Sequence, residues 1–193
     1  MLNHLLSWAI WLPIFAGIIV ALIGSNGARA NIARWVALFG AIASFLVTLP
    51  LFSGFDRLNG GMQFTELASW IPALGLNYHL GVDGISVLFV ILNAFTTVLV
   101  VLAGWQVIQK KPAQYFAAFL IMSGLINGAF SALDAILFYA FFEGMLIPMY
   151  LIIGVWGGPR RVYASIKFFL YTLLGSLLML VALIYLSRLT GGS

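Results

Sequence analysis

Six long apolar runs, separated by shorter polar stretches, set the plan of this chain. They cover residues 5–23, 33–52, 85–105, 115–132, 133–156 and 162–186. A helix rises ~1.5 Å per residue, so runs of this length can each cross a hydrocarbon core ~30 Å thick. The pattern predicts an all-α fold, a polytopic membrane helix bundle of about six transmembrane helices, forming a single transmembrane domain over residues 1–193. The turn formers of Gly24-Ser-Asn-Gly-Ala-Arg-Ala-Asn31 separate the first two runs. Between the second and third lies a long polar stretch, 53–81, holding Asp56, Arg57, Gly60, Gly61, Glu66 and Pro72. It also carries Phe64, Leu67, Trp70, Ile71 and Leu74, too apolar for a solvated linker, and is read as an outer loop resting on the membrane interface, where Trp is favoured.

Composition agrees with this pattern. Of the 193 residues, 63% are hydrophobic and 7% are charged, against about a quarter charged in a soluble domain. There is no cysteine, which excludes disulfides and thiolate-held zinc or iron–sulfur clusters. His4 and His79 are too few and too far apart to suggest a metal site. The net charge of +4 does not point to nucleic acid, because the basic residues sit in short loops between apolar runs. Arg29 and Arg34, Lys110 and Lys111, and Arg160 and Arg161 mark the odd-numbered connections as cytoplasmic, which places the N-terminus outside. Arg188 is the minor exception. The first run is longer than a signal-peptide core and has no basic residue before it, so it is read as a retained helix.

Against this background one residue stands out. Glu143, within Tyr139-Ala-Phe-Phe-Glu-Gly-Met-Leu-Ile-Pro-Met-Tyr150, lies roughly 14 Å along a helix from Asp134, near the bilayer midplane. An ionised carboxylate there costs at least ~2.5–3.5 kcal/mol on insertion scales, and such groups face protein or water. Gly144 follows it, and Pro148 removes the amide that would bond the Gly144 carbonyl, so a helix break is expected beside the carboxylate. Tyr139 and Tyr150 fall on roughly the same face. Desolvation opposes a buried charge and a nearby mobile cation restores it, which suits such a group to take up and release protons. The competing reading is a structural carboxylate bonded to a neighbouring helix.

The other ionisable residues are weaker candidates. Lys167, in the first turns of the sixth run, could modulate Glu143 or extend its stem to the interface. Asp83, just before the third run, and Asp134, which opens the fifth, are read as structural acids, helix N-caps or favourable N-terminal charges. Asn93, Gln106, Ser123 and Asn127 could line a hydrated path or hold helices together. Small residues (Gly40, Ala41, Ala43, Ser44, Gly124, Gly128, Ala129, Gly175, Ser176) suit a close-packed bundle. No internal repeat and no nucleotide, zinc-protease or Ser/His/Asp motif is present.

Three stretches carry a resemblance. His79-Leu-Gly-Val-Asp-Gly-Ile-Ser-Val-Leu-Phe89, Phe141-Phe-Glu-Gly-Met-Leu-Ile-Pro-Met-Tyr150 and Arg160-Arg-Val-Tyr-Ala-Ser-Ile-Lys-Phe-Phe-Leu-Tyr171 closely resemble membrane chain M of bacterial NADH:quinone oxidoreductase (respiratory complex I), chain 4 in mitochondria. That family is related to Mrp-type cation/proton antiporter subunits. The resemblance implies the N-terminal part of a fourteen-helix antiporter-like fold with two inverted five-helix repeats, the chain being incomplete at its C-terminus. It places the family's intramembrane glutamate on Glu143, with partner lysines beyond Ser193, for which Lys167 is no substitute.

The implied function is proton translocation through Glu143 in a subunit of NADH:quinone oxidoreductase, an enzyme complex and translocase. This chain would hold no cofactor and no metal. FMN, iron–sulfur clusters, NADH and quinone would belong to other subunits. Expected partners are other complex I membrane subunits, especially neighbouring antiporter-like chains, together with the lipid bilayer and protons. The expected location is the bacterial inner (plasma) membrane, with the N-terminus on the periplasmic side. Two rival readings are a subunit of a multi-subunit sodium/proton antiporter and a non-catalytic membrane scaffold.

Overall fold

The computed structural model describes residues 4–26, 28–72 and 76–189. The six apolar runs fold as α1 (Leu5–Ile23), α2 (Ala28–Ser53), α3 (Ser86–Val107), α4 (Pro112–Ser131), α5 (Ala135–Trp156) and α6 (Arg161–Leu189). All six have spanning length and apolarity, so the expected bundle holds. The largest shift in a boundary is the start of α2, which begins within the stretch read as a breaker. Gly24 supplies the turn with φ 79°, a value glycine tolerates. Ser25 fixes the turn onto α4, donating to Gln114 Oε1 at 2.7 Å and accepting from the Ala113 amide at 3.1 Å. Arg29 to Asn31 are then free to be helical.

α4 is the hub, packed against α1, α2, α3 and α5, whereas α6 packs on α5. The α1–α4 contact is close because Gly124 has no side chain. A Cβ there would lie 2.4 Å from the Ile10 carbonyl oxygen, nearer than any real contact permits. One turn away, Asn127 donates to the Ala9 carbonyl at 2.9 Å. Asn127 also accepts from Asn93 at 2.7 Å, and Thr97 donates to Ser123 at 2.8 Å. Asn127, Ser123 and Thr97 are buried. Of the four residues offered as path or glue, Asn93, Ser123 and Asn127 form an interhelical hydrogen-bond layer. Gln106 is exposed and stands apart from it.

The stretch 53–81 departs from the expected loop. β1 (Gln63–Ile71) and β2 (Leu76–Val82) pair antiparallel, Glu66 opposite Leu80, which adds a hairpin to the helical bundle. Leu80 and Val82 are fully buried with Leu6, Ile10, Leu51 and Leu137, and the Leu133 amide donates to the His79 carbonyl at 2.9 Å. The hairpin therefore closes one end of the bundle. Phe64 packs on that core, while Leu67 and Trp70 are exposed. Leu74 lies outside the described residues. The opposite, basic end is held by Arg34 donating to the Ile108 carbonyl at 3.2 Å and Trp156 donating to the Lys110 carbonyl at 2.7 Å.

Glu66 fastens the hairpin. Only 7% of its surface is exposed, and it accepts from the Leu6 amide at 2.8 Å, the Ser7 amide at 3.3 Å and the Ser7 hydroxyl. It thus caps α1 from 60 residues away, where orphan amides and the helix dipole both favour an anion. The Tyr78 hydroxyl lies 3.2 Å from Ser7 Oγ and accepts from Trp11 at 3.2 Å. Burial pushes the Tyr78 phenol above its ordinary value, which keeps it neutral.

Asp134 and Asp83 each accept amide hydrogen bonds at a helix start. Asp134 accepts from the Ile136 and Leu137 amides at 2.9 and 3.0 Å. Asp83 accepts from the Ile85 and Ser86 amides at 3.1 and 2.7 Å, and its own amide donates to Ser86 Oγ at 2.9 Å, a reciprocal box. The Ser86 amide, helped by the Ser86 hydroxyl, holds the Asp83 carboxyl below the ordinary carboxylate range.

Three outcomes follow for the protein in detergent, read from thermal unfolding. Gly124→Leu should fail to give a folded bundle, while Gly175→Ala, where a Cβ meets nothing within 4 Å, should change stability little. Glu66→Ala should cost about 1.5–3 kcal/mol, since its bonds are to a charged group in a buried setting, and Glu66→Gln should cost less. For Asp83, a lowered folded-state value means the ionised form is favoured on folding. Its stabilisation is full above the unfolded carboxylate range and is lost as acid titrates the folded-state group. The deficit of Asp83→Ala relative to wild type should therefore shrink between about pH 7 and about pH 3.

Candidate proton-transfer site

The carboxylate that stood out in the sequence lies in the middle third of α5, roughly 12 Å from the helix start at Ala135. α5 and α6 are antiparallel neighbours joined by the short 157–160 connection, so residues equally far from it meet at the same depth. Glu143 is paired in this way with Ser176 of α6. The Ser176 hydroxyl donates to Glu143 Oε1 and lies 2.9 Å from the Leu173 carbonyl oxygen. Ser176 is buried, at 4% exposure, whereas Glu143 is half-buried. Tyr139 lies one turn before Glu143 on the same face of α5, within electrostatic reach of Glu143 and Ser176. One hydroxyl, that of Ser176, thus hydrogen-bonds the carboxylate at membrane depth.

The neighbouring residues hold α5 in place rather than entering the cluster. Gly144 faces α4, where a Cβ would meet Leu125 at 3.3 Å, and Pro148 is buried. The expected break at Gly144 and Pro148 does not occur, because α5 is continuous from Ala135 to Trp156. The proline deletes one amide, and packing on both sides carries the helix through. Tyr150, also expected near the carboxylate, instead stacks edge-on against Phe169 with ring centroids 5.7 Å apart.

Lys167 does not join Glu143. Nine residues separate it from Ser176, a rotation of about 180° on the helix at ~100° per residue, so it lies on the far face of α6. It is exposed there, its ammonium 5.8 Å from the ring centroids of both Tyr163 and Tyr171. That is a cation–π arrangement on a surface helix face. Among the described residues Glu143 makes no ion pair. The recorded one is a 3.7 Å contact of His4 with Glu66. Nor do three or more His, Asp or Glu residues gather anywhere among the described residues as a metal site would need. An apolar groove of about 550 Å³ lined by His4, Ser7, Trp8, Trp11 and Phe15 does not include Glu143.

Sequence reasoning missed Ser176, which reads beside Gly175 as part of a packing surface. Depth was recoverable by counting from the connection in both directions. The rotation that turns Ser176 rather than Leu177 toward α5 was not. It also missed Glu66, which in the sequence is one charge in a polar loop.

With this geometry in hand, comparison with known proteins is informative. Residues 8–130 match the family described as NADH-ubiquinone oxidoreductase chain 4, amino terminus, and residues 132–193 match NADH:quinone oxidoreductase/Mrp antiporter, TM. The chain is 49% identical over 192 residues to NADH-quinone oxidoreductase subunit M of Rhodobacter capsulatus, covering 98% of this chain and 37% of that protein. It is 42% identical to NADH-ubiquinone oxidoreductase chain 4 of Arabidopsis thaliana, covering 96% of this chain and 37% of that one. A chain of respiratory complex I from Thermus thermophilus superposes with a TM-score of 0.81 at 33% identity, covering 99% of this chain and 37% of that chain. The Mrp complex of Dietzia superposes with a TM-score of 0.80 at 17% identity, a likeness of fold alone. The chain thus spans little more than a third of the relatives it matches. Its sequence from end to end, and the fold of its six helices, make it a member of the NADH-quinone oxidoreductase chain 4 (subunit M) family.

Proposed function

We propose that this chain is the N-terminal part of a proton-translocating membrane subunit of NADH:quinone oxidoreductase, and that Glu143 is its proton carrier. The observation that carries the reading is a carboxylate at membrane depth, hydrogen-bonded by the buried Ser176 hydroxyl with Tyr139 one turn away, and paired with no cation among the described residues. A carboxylate held only by a hydroxyl can exist with or without its proton, provided the charged form finds a cation when it needs one. In this reading the cation is a lysine of the remaining two thirds of the subunit, moving toward and away from Glu143. Moving one proton against 100 mV requires ~2.3 kcal/mol, and a hydrogen bond to a charged group is worth ~1.5–3 kcal/mol. Making and breaking such bonds around Glu143 is therefore of the right size for one step.

Redox chemistry is assigned to other subunits, which would hold the flavin, the iron–sulfur clusters and the nicotinamide and quinone sites. The partners are neighbouring antiporter-like chains, and the location is a bacterial plasma membrane. The clustering of Arg29, Arg34, Lys110, Lys111, Arg160 and Arg161 at one end of the bundle supports a cytoplasmic face there, with the hairpin outside. A second reading, a subunit of a sodium/proton antiporter, is favoured by the family description that names both kinds of protein. The 49% identity to subunit M over nearly the whole chain favours the respiratory complex.

In the full-length subunit, assembled and reconstituted in vesicles, Glu143→Gln should leave the complex intact but abolish NADH-driven proton uptake, and should lower coupled turnover with it. Undiminished pumping in that variant would leave Glu143 a structural carboxylate. Sodium uptake in exchange for protons without NADH oxidation would assign the antiporter instead.

A further inference from the structure

Ser176 has one hydroxyl proton and two acceptors in reach, the Glu143 carboxylate and the Leu173 carbonyl at 2.9 Å. Counting protons in the cluster shows what that means. With Glu143 ionised, the Ser176 hydroxyl donates its one proton to the carboxylate. With Glu143 protonated there are two protons to place. The carboxyl then donates to Ser176 Oγ, and the Ser176 proton turns to the Leu173 carbonyl, whose second lone pair is available for it. One rotation about the Ser176 Cβ–Oγ bond satisfies either state. Ser176 keeps its own proton throughout, so the transferred proton belongs to Glu143 alone.

We propose that Ser176 is a positioning residue for proton transfer, a buried hydroxyl rotor whose two settings match the two protonation states of Glu143 and report them to the backbone of α6 at Leu173. The inference rests on Glu143 being the proton carrier. A buried polar group left without a partner is costly where no water reaches it, so a side chain with only one setting would favour one state and slow passage through the other. Alanine offers neither setting, and a thiol is a weak donor and acceptor of nearly the same size. Threonine retains the hydroxyl. An apolar residue would have served equally well if this position only needed to fill space between α5 and α6. The hydroxyl is also placed 4% exposed against the sole carboxylate of α5.

The test uses the full-length subunit in the assembled complex, in vesicles, with Ser176→Ala, Ser176→Cys, Ser176→Thr and Glu143→Gln. NADH-driven proton uptake should fall about tenfold to a hundredfold in the alanine and cysteine variants, the loss expected for one hydrogen bond to a charged group, and should return close to wild type in the threonine variant. NADH oxidation by an artificial acceptor reports that the redox arm is assembled in each. Infrared difference spectra should show the protonated-carboxyl band of Glu143, identified by its absence in Glu143→Gln, shifted to higher frequency in the alanine and cysteine variants and restored by threonine. Wild-type pumping in Ser176→Ala or Ser176→Cys, with Glu143→Gln inactive, overturns the rotor and leaves the proton-carrier reading standing. Slow pumping with an unshifted band also overturns it, since the loss would then come from packing. Pumping by Glu143→Gln overturns the proton-carrier reading itself.

Discussion

Within hydrocarbon every polar group must find its partner inside the protein, and in this chain that demand is met first between α1 and α4. Gly124 lets the two backbones approach until the Ile10 carbonyl lies where a Cβ would be, and Asn127 spends an amide proton on the Ala9 carbonyl one turn away. Asn93, Thr97 and Ser123 complete the layer by bonding to each other. Close packing and hydrogen bonding are the forces available to membrane helices, since lipid offers no hydrophobic reward for association. The rest of the bundle is arranged around this contact, with α2 and α3 on one side of α4 and α5 on the other.

The hairpin extends the same logic beyond the membrane. Its buried face continues the α1–α5 core through Leu80 and Val82, and its one buried carboxylate satisfies amides at the start of α1 that no preceding turn can satisfy. Glu66, Ser7, Tyr78 and Trp11 form a network in which a strand, a helix start and an interfacial indole are mutually fixed.

Which parts were legible in the sequence follows from what each part depends on. Helix existence is set by hydropathy over twenty residues, a signal that nothing in tertiary structure overrides in a bilayer. Asp134 and Asp83 cap by local bonds two and three residues along, so a short window suffices. The hairpin was hidden because its register is irregular between Gln63 and Glu66 and between Ser69 and Ile71, which breaks the period-two pattern, and because Leu67 and Trp70 face outward. Glu66 depends on a partner 60 residues away, and nothing local distinguishes it from Asp56, which bonds only its own loop. At the candidate site Glu143 and Tyr139 were legible from composition and helical spacing, but Tyr150 was not separable from them until Phe169 was seen to claim it. Lys167 could be placed only once the rotation of α6 was known.

The position of the Glu143 cluster in this architecture is itself an argument about mechanism. A switch needs two states of similar energy that differ in charge, and the α1–α4 layer, whose hydrogen bonds join neutral amides and hydroxyls, carries no titratable group. The α5–α6 seam is different. α6 packs chiefly on α5, and 6% of its membrane window is buried, so most of its surface is left for other contacts. The one mid-membrane carboxylate sits on this seam, bonded by a hydroxyl that has an alternative acceptor on its own helix. Packing of α5 on α4 and α6 fixes where Glu143 is, and the second acceptor of the Ser176 hydroxyl leaves its hydrogen bond free to change.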